Sequence, residues 1–597
     1  MKRILKLSLL FVAGAVFLGR LGAVYAQNSL AYTPASMFIW TDKYAYLPGE
    51  PITLRWTARA NADATPYTAV VYRQNNQTGL KTYMSIGGAP STTAVDIFGR
   101  TSEQGFNLVT LGDVTKGVMI GSGGWLQSSA SAPSGELGMH TFVIEIRDST
   151  GTRVIKSAYT KIGVVDSIET ISGNIDSDRT LVNTRAYRLS GSVIVRSNAV
   201  LTIQPGTFIF GMPGSQPASV LIVGVNGRIM AEGTRNRPII MTSNQPIGQR
   251  AAGDWGGLSM LGKAPVNVTG GTANLEGLAP SADTTYGGSD AAHSCGTLAY
   301  VRVEFAGALL SPNNELNAIT WAGCGTGTVA HHLQSRYGLD DMFEWFGGTA
   351  NAKYLVGSVA NDDFLDGQLG WSGKVQHGIM VAGRDRQGNR GIEMDNSEFD
   401  DRAQPQGKPQ IYNVTFVGVG DQFTTGPDEA DSSALYFRRG AGGAYNNLLL
   451  YNWIVNGISV RNNTNSTATT DSITRGDLSM DGILMFDNGK ASNRANDIAG
   501  QASDFGTTVN AVARELLGGT RGQGRNVMVG DPRLRRPLYG SDPDFLPRAG
   551  SPVFRANWVQ PPDDGFFDQW ARWNGGFGDV DWTEEWTCFH VEGDLAP

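Results

Sequence analysis

The feature that most constrains this chain is a recurrence of short apolar runs, each closed by a glycine turn, from about residue 170 onward. Gly191-Ser192-Val193-Ile194-Val195 leads to Leu201-Thr202-Ile203-Gln204-Pro205-Gly206-Thr207, then to Val220-Leu221-Ile222-Val223 and Gly227-Arg228-Ile229-Met230-Ala231-Glu232-Gly233-Thr234. The two Gly-Thr pairs, at Gly206 and Gly233, lie 27 residues apart. Strand-like phrases continue at Tyr300–Phe305, Ala352–Val356, Ile411–Phe416 and Asn446–Leu450. Short strands at a spacing of roughly twenty-odd residues predict a β-solenoid, in which stacked coils bury one continuous core. A β-propeller needs about 40–50 residues per blade, too long for these spacings. The 77 glycines follow no three-residue period, which excludes collagen, and 41% hydrophobic residues exclude a disordered chain.

The N-terminal part reads differently. Residues 1–26 predict a secretory signal: Lys2, Arg3 and Lys6, an apolar run from Leu7 to Leu18, and Val24-Tyr25-Ala26 before Gln27. Removing them takes away four cations (Lys2, Arg3, Lys6 and Arg20) and no acid, deepening the formal charge from −7 to −11. So acidic a chain is a poor partner for nucleic acid or an anionic membrane, and no later apolar run is long enough to span a bilayer. Residues 27–166 predict a small β-sandwich, with a turn at Leu47-Pro48-Gly49-Glu50 opening into the alternating Ile52-Thr53-Leu54-Arg55-Trp56.

Two groups of phrases carry a family resemblance. Leu201–Thr207, Ala231-Glu232-Gly233-Thr234 and the stretch from Asp542 to Val553 resemble the opening and closing coils of the pectin-lyase-like superfamily. Gly253-Asp254-Trp255-Gly256-Gly257, Val303-Glu304-Phe305-Ala306-Gly307 and Asp340–Gly348 resemble a group of secreted bacterial β-helix proteins largely without assigned activity. The resemblance implies an all-β right-handed parallel β-helix over 167–560, while the domain before it resembles immunoglobulin-like domains of exported bacterial proteins. The aromatic tail 561–597, with Trp570, Trp573, Trp582 and Trp586, is expected to cap the open end of the helix.

An acidic repeat is the strongest functional signal. Asp340, Asp341 and Glu344 are followed 22 residues later by Asp362, Asp363 and Asp366. If 22 residues make one coil, each pair stacks about 4.8 Å apart. Like charges at that distance repel by roughly 1 kcal/mol in water and about 3–4 kcal/mol when partly buried. Three readings stay open. A bound cation, Ca²⁺ by its tolerance for several carboxylates, would neutralise the ladder. Crowding would raise one carboxyl pKa and leave an acid beside a base. A solvated face, or pairing with Arg336, Lys353 or Lys374, needs no function at all.

The superfamily's galacturonan hydrolases carry Asn-x-Asp, Asp-Asp and His-Gly on successive coils. Asn361-Asp362-Asp363, Asp340-Asp341 and His377-Gly378 are similar, but His377 follows Asp363 by 14 residues, less than a coil. A second acidic cluster, Glu393 to Asp401, reads as a projecting loop behind the polar run 383–390. Of three cysteines, Cys295 and Cys324 are expected to pair in an oxidising compartment, leaving Cys588 single. The favoured expectation is an exported, non-catalytic surface or extracellular protein that binds a polysaccharide or other envelope polymer, with Ca²⁺ as its ion. The alternative is a polysaccharide lyase or hydrolase acting through the stacked acids.

Overall fold

The computed structural model describes residues 37–58, 68–84, 90–91, 126–131, 135–147, 150–214, 218–311, 314–383, 390–420, 432–488, 527–538, 540, 542–555 and 557–589. The expected signal segment 1–26 and most of the polar run, 384–389, lie outside them. The chain divides into two compact units, the second running from Gly163 to the C-terminus with two short earlier segments. In the first unit, Met37–Thr41, Pro51–Ala58 and Leu126–Ser131 form an antiparallel sheet. A second sheet pairs Thr68–Asn75 antiparallel to both Lys81–Met84 and Gly138–Arg147.

The second unit is a right-handed parallel β-helix whose coils contribute to one sheet of 25 strands. A coil can be followed from Leu333, which pairs with Leu355 exactly one turn on. Val329–Gly338 bends at His332, Phe343–Phe346 forms the next face, and Ala352–Ala360 begins the third face before bending at Tyr354. Parallel strands buried on both faces read as near-continuous apolar runs, which is why Ile239–Ser243, Leu258–Leu261 and Ile319–Ala322 are buried throughout. Among the described residues, helix is confined to short pieces, the longest being Ala468–Arg475.

The inner side of these coils is packed by stacked rings. Trp321 pairs in register with Trp345, their rings 4.9 Å apart, and Trp345 stacks on Trp371 at 4.4 Å. The next register position is Gly367. A Cβ there would meet the Trp371 ring at 2.7 Å, so the glycine leaves the space that Trp371 fills from the following turn. Cys295 and Cys324 form a disulfide inside this core, their Cα atoms 5.8 Å apart, and Cys588 is a buried free thiol.

One corner of the helix repeats a rare conformation. Tyr300, His332, Tyr354, His377, Asn413 and Asn447 all have φ between 47° and 63°; the first five bend a strand within its length, and Asn447 lies between two strands. The left-handed region is unfavourable for bulky side chains. Stacking offsets that cost: Tyr300–His332, His332–Tyr354 and Tyr354–His377 lie 4.3, 4.4 and 4.7 Å apart.

The aromatic tail runs along the flank of the coils. Val559 bonds Asn447, Trp573 accepts from Asn413, Trp586 packs edge-on against Tyr300, and Cys588 is bonded to Gln334 and Arg336. Asp568 is its clamp, accepting from Lys353 (2.8 Å) and Tyr354 (3.1 Å) and lying 3.1 Å from His377 Nε2. Burial alone would raise the Asp568 carboxyl, yet His377 and Lys353 hold it below its ordinary range. Lys374 likewise pairs with tail residue Asp564. The tail covers the outer side of one ladder, where Val356, Ile379, Val381 and Val417 meet Phe577 and Trp586.

Candidate metal centre

The predicted 22-residue register is present. Glu344 pairs with Asp366 across adjacent strands, and the Asp363 amide donates to Asp341 Oδ1 at 2.9 Å. Residues flanking Glu344 and Asp366 point into the core, so these two acids point outward by strand alternation. The row extends further than the repeat foretells: Ser259, Thr320, Glu344, Asp366, Glu393, Tyr436 and Ser459 occupy successive rungs. Glu393 is therefore a strand residue in register with Asp366, which corrects its expected place on a loop.

Insertions build walls around this row. A lobe from about 262 to 290 packs Val266, Leu275 and Tyr286 against Leu261 and Phe346, and carries Glu276 to the rim. The hairpin of Leu309–Ser311 and Asn314–Glu315 brings Glu315. The resulting cleft, about 540 Å³, is lined by nine carboxylates: Glu276, Glu315, Asp340, Asp341, Glu344, Asp362, Asp363, Asp366 and Glu393. Asn317, Asn361 and Gln368 add amides, and Arg438 is the one cation among the described lining residues.

The acids are deep. Asp341 is 5% exposed, Glu344 3% and Asp363 2%. Asn317 donates to Glu344 Oε2 and Gln368 to Oε1. Burial pushes the Asp340 carboxyl up to about 8, with Asp362 and Glu276 adding to the shift. Glu276 is pushed to about 7 by burial and then by Glu398 and Glu315. Asp341, Glu344, Asp363 and Asp366 are all raised well above their ordinary values, desolvation first and neighbouring carboxylates second. Three triads bring one oxygen per residue within 4.8 Å of one another: Asp340/Asp341/Asp362, Asp341/Glu344/Asp366, and Asp363/Asp366/Glu393. All six residues expected as ligands thus converge.

The expected cationic partners do not serve the ladder. Lys353 and Lys374 engage the tail, and Arg336 bonds Cys588. Instead Arg390 bridges Asp363 and Glu393, and Arg438 contacts Glu393 and Asp395. His377 lies in the ring-stacked corner bonded to Asp568, so the galacturonan-hydrolase constellation of His377 with Asp362 and Asp363 is not assembled. Sequence reasoning missed Glu276, Glu315, Asn317 and Gln368, which come from insertions or carry no repeat signal.

A search of the curated proteins returns no match. Among solved structures, the catalytic domain of a GH87 α-1,3-glucanase in complex with tetrasaccharides aligns over 84% of this chain and 96% of its own, at 10% identity and a TM-score of 0.18. So loose a superposition carries no functional weight. Residues 173–525, more than half of the chain, match the family described as "Pectate-lyase like beta helix domain", and the chain belongs to that family.

Proposed function

We propose that this is an exported surface or extracellular protein whose β-helix holds Ca²⁺ in the acidic cleft and engages a polysaccharide or envelope polymer without cutting it. The carrying observation is the convergence of three carboxylate triads, buried and half-buried, in one cleft. Three evenly spaced oxygens around one Ca²⁺ at 2.3–2.6 Å lie up to about 4.5 Å apart, so oxygens already within 4.8 Å of one another need only small shifts to share one ion. Mg²⁺, at 2.0–2.1 Å, holds three evenly spaced oxygens about 3.6 Å apart, a tighter closing than Ca²⁺ asks for. An all-oxygen donor set disfavours Zn²⁺ and copper, which prefer nitrogen and sulfur. The pairing of Cys295 with Cys324 suits an oxidising compartment, and no described helix is long and apolar enough to cross a membrane. The immunoglobulin-like character of the first unit belongs to this proposal too.

One observation favours the alternative, a lyase or hydrolase: a carboxyl pushed up to about 8 at Asp340 stands beside Asp362, the pattern of an acid next to a base. A polysaccharide panel on the full chain, with Ca²⁺ and with chelator, separates the two. Ca²⁺-dependent retention with unchanged polymer length supports the binding reading, and new reducing or unsaturated ends overturn it.

A further inference from the structure

Three acids of the cleft share a state that sets them apart. Among the described residues, buried carboxylate oxygens that no hydrogen-bond donor reaches occur at Asp363 Oδ1, Asp366 Oδ1 and Glu393 Oε2. The three residues are the members of one triad, with an oxygen of each within 4.8 Å of the others. Asp363 is 2% exposed and Glu393 3%, so two of the three side chains are more than nine-tenths buried. Buried acceptors without donors are costly, and a cation fills them. Further along the row the acids are better served. Asn317 and Gln368 donate to the two oxygens of Glu344, and the Asp363 amide donates to Asp341 Oδ1.

Arg390 does not close this site. Its Nη1 approaches the other oxygen of Asp363, Oδ2, at 3.5 Å, and it meets Glu393 Oε2 as an ion pair without hydrogen-bond geometry. The guanidinium is held over Tyr436, 4.3 Å from the ring centre, on the rung beyond Glu393. Three carboxylates against Arg390 leave a formal charge of −2. Adding Asp395 with its partners Arg438 and Arg439 still leaves −1. We infer that the cleft's divalent ion is seated between two neighbouring strands, taking one oxygen each from Asp363, Asp366 and Glu393, with Arg390 and Arg438 as fixed cations beside it. This rests on the cation reading above and adds the ion's position: Asp340, Asp341 and Asp362 lie outside its shell. Gln368, two residues beyond Asp366 on the same face of the strand, offers a further buried oxygen without a donor. Carboxylate and amide oxygens are the donors that Ca²⁺ takes.

The test uses Ca²⁺ on the chelator-treated full chain, by calorimetric titration and by anomalous diffraction from crystals soaked in Ca²⁺. The anomalous density should peak among Asp363, Asp366 and Glu393. In titration, Glu393→Gln should weaken Ca²⁺ more than tenfold and Asp340→Asn less than threefold. A peak among Asp340, Asp341 and Asp362 with none at Glu393, or the reverse order of the two variants, overturns the position and leaves the cation reading standing. No bound Ca²⁺ in the parent removes both. Because the parent's anomalous map decides, the outcome does not depend on either variant folding.

Discussion

Two ladders on this helix use the same geometry to opposite effect. At one corner, Tyr300, His332, Tyr354 and His377 stack ring on ring; on a neighbouring face, Glu344, Asp366 and Glu393 stack carboxylate on carboxylate. A solenoid multiplies whatever its sequence places at one register position. Rings at coil spacing attract and stabilise a strained left-handed corner, while acids at that spacing repel and accumulate a need for positive charge. The inner side of the acidic strands, with Trp321, Trp345 and Trp371 in contact, offsets part of that repulsion through packing.

The largest expected effect breaks that compensation. Trp345→Ala should cost about 3–5 kcal/mol in a denaturant titration, because the cavity lies between two rings that cannot both close over it. The ring ladder is next. Asp568→Ala removes the shared acceptor of Lys353, Tyr354 and His377, and should cost about 2–3 kcal/mol by leaving a buried imidazole without its partner. Limited proteolysis should then cut between 557 and 589 in the variant but not in the parent.

The acidic ladder should respond to pH where the ring ladder does not. Asp340 and Glu276 are pushed up to about 8 and about 7 from 3.8 and 4.5, so the folded chain binds protons that the unfolded chain has released. Their contribution is fully present below about pH 4 and is lost as pH rises through 7 and 8. In chelator, the urea midpoint should therefore fall between pH 5 and pH 8; a flat profile would break the contrast. The smallest effect is expected at His332. Burial, then His331 and His377, lower its pKa to about 3, so it is neutral throughout this range. His332→Phe keeps a ring in the stack and should change stability by less than about 1 kcal/mol.

How much of this was legible in the sequence follows from coil length. The coils carrying Asp340 to Asp366 contain no insertion, so a 22-residue spacing exposes the register directly. From Asp366 to Glu393 the coil lengthens to 27 residues, and the same row becomes invisible to spacing. Glu276 and Glu315 reach the cleft on inserted segments with no repeat to announce them. The tail's place along the flank depends on pairs such as Gln376 with Asp568, 192 residues apart, which no local pattern encodes. The paired cysteines were legible because three cysteines leave few choices.

The most direct test of the acidic ladder is the melting temperature of the chelator-treated full chain, near neutral pH, with and without Ca²⁺. Binding to the folded state alone should add about 2.7 kcal/mol at a hundredfold excess over Kd, and raise Tm accordingly. The double variant Asp341→Asn, Asp363→Asn should fold, melt higher than the ion-free parent because the repulsion has gone, and ignore added Ca²⁺. A parent whose Tm is the same with and without Ca²⁺, matched by a double variant no more stable than that parent, would contradict the account.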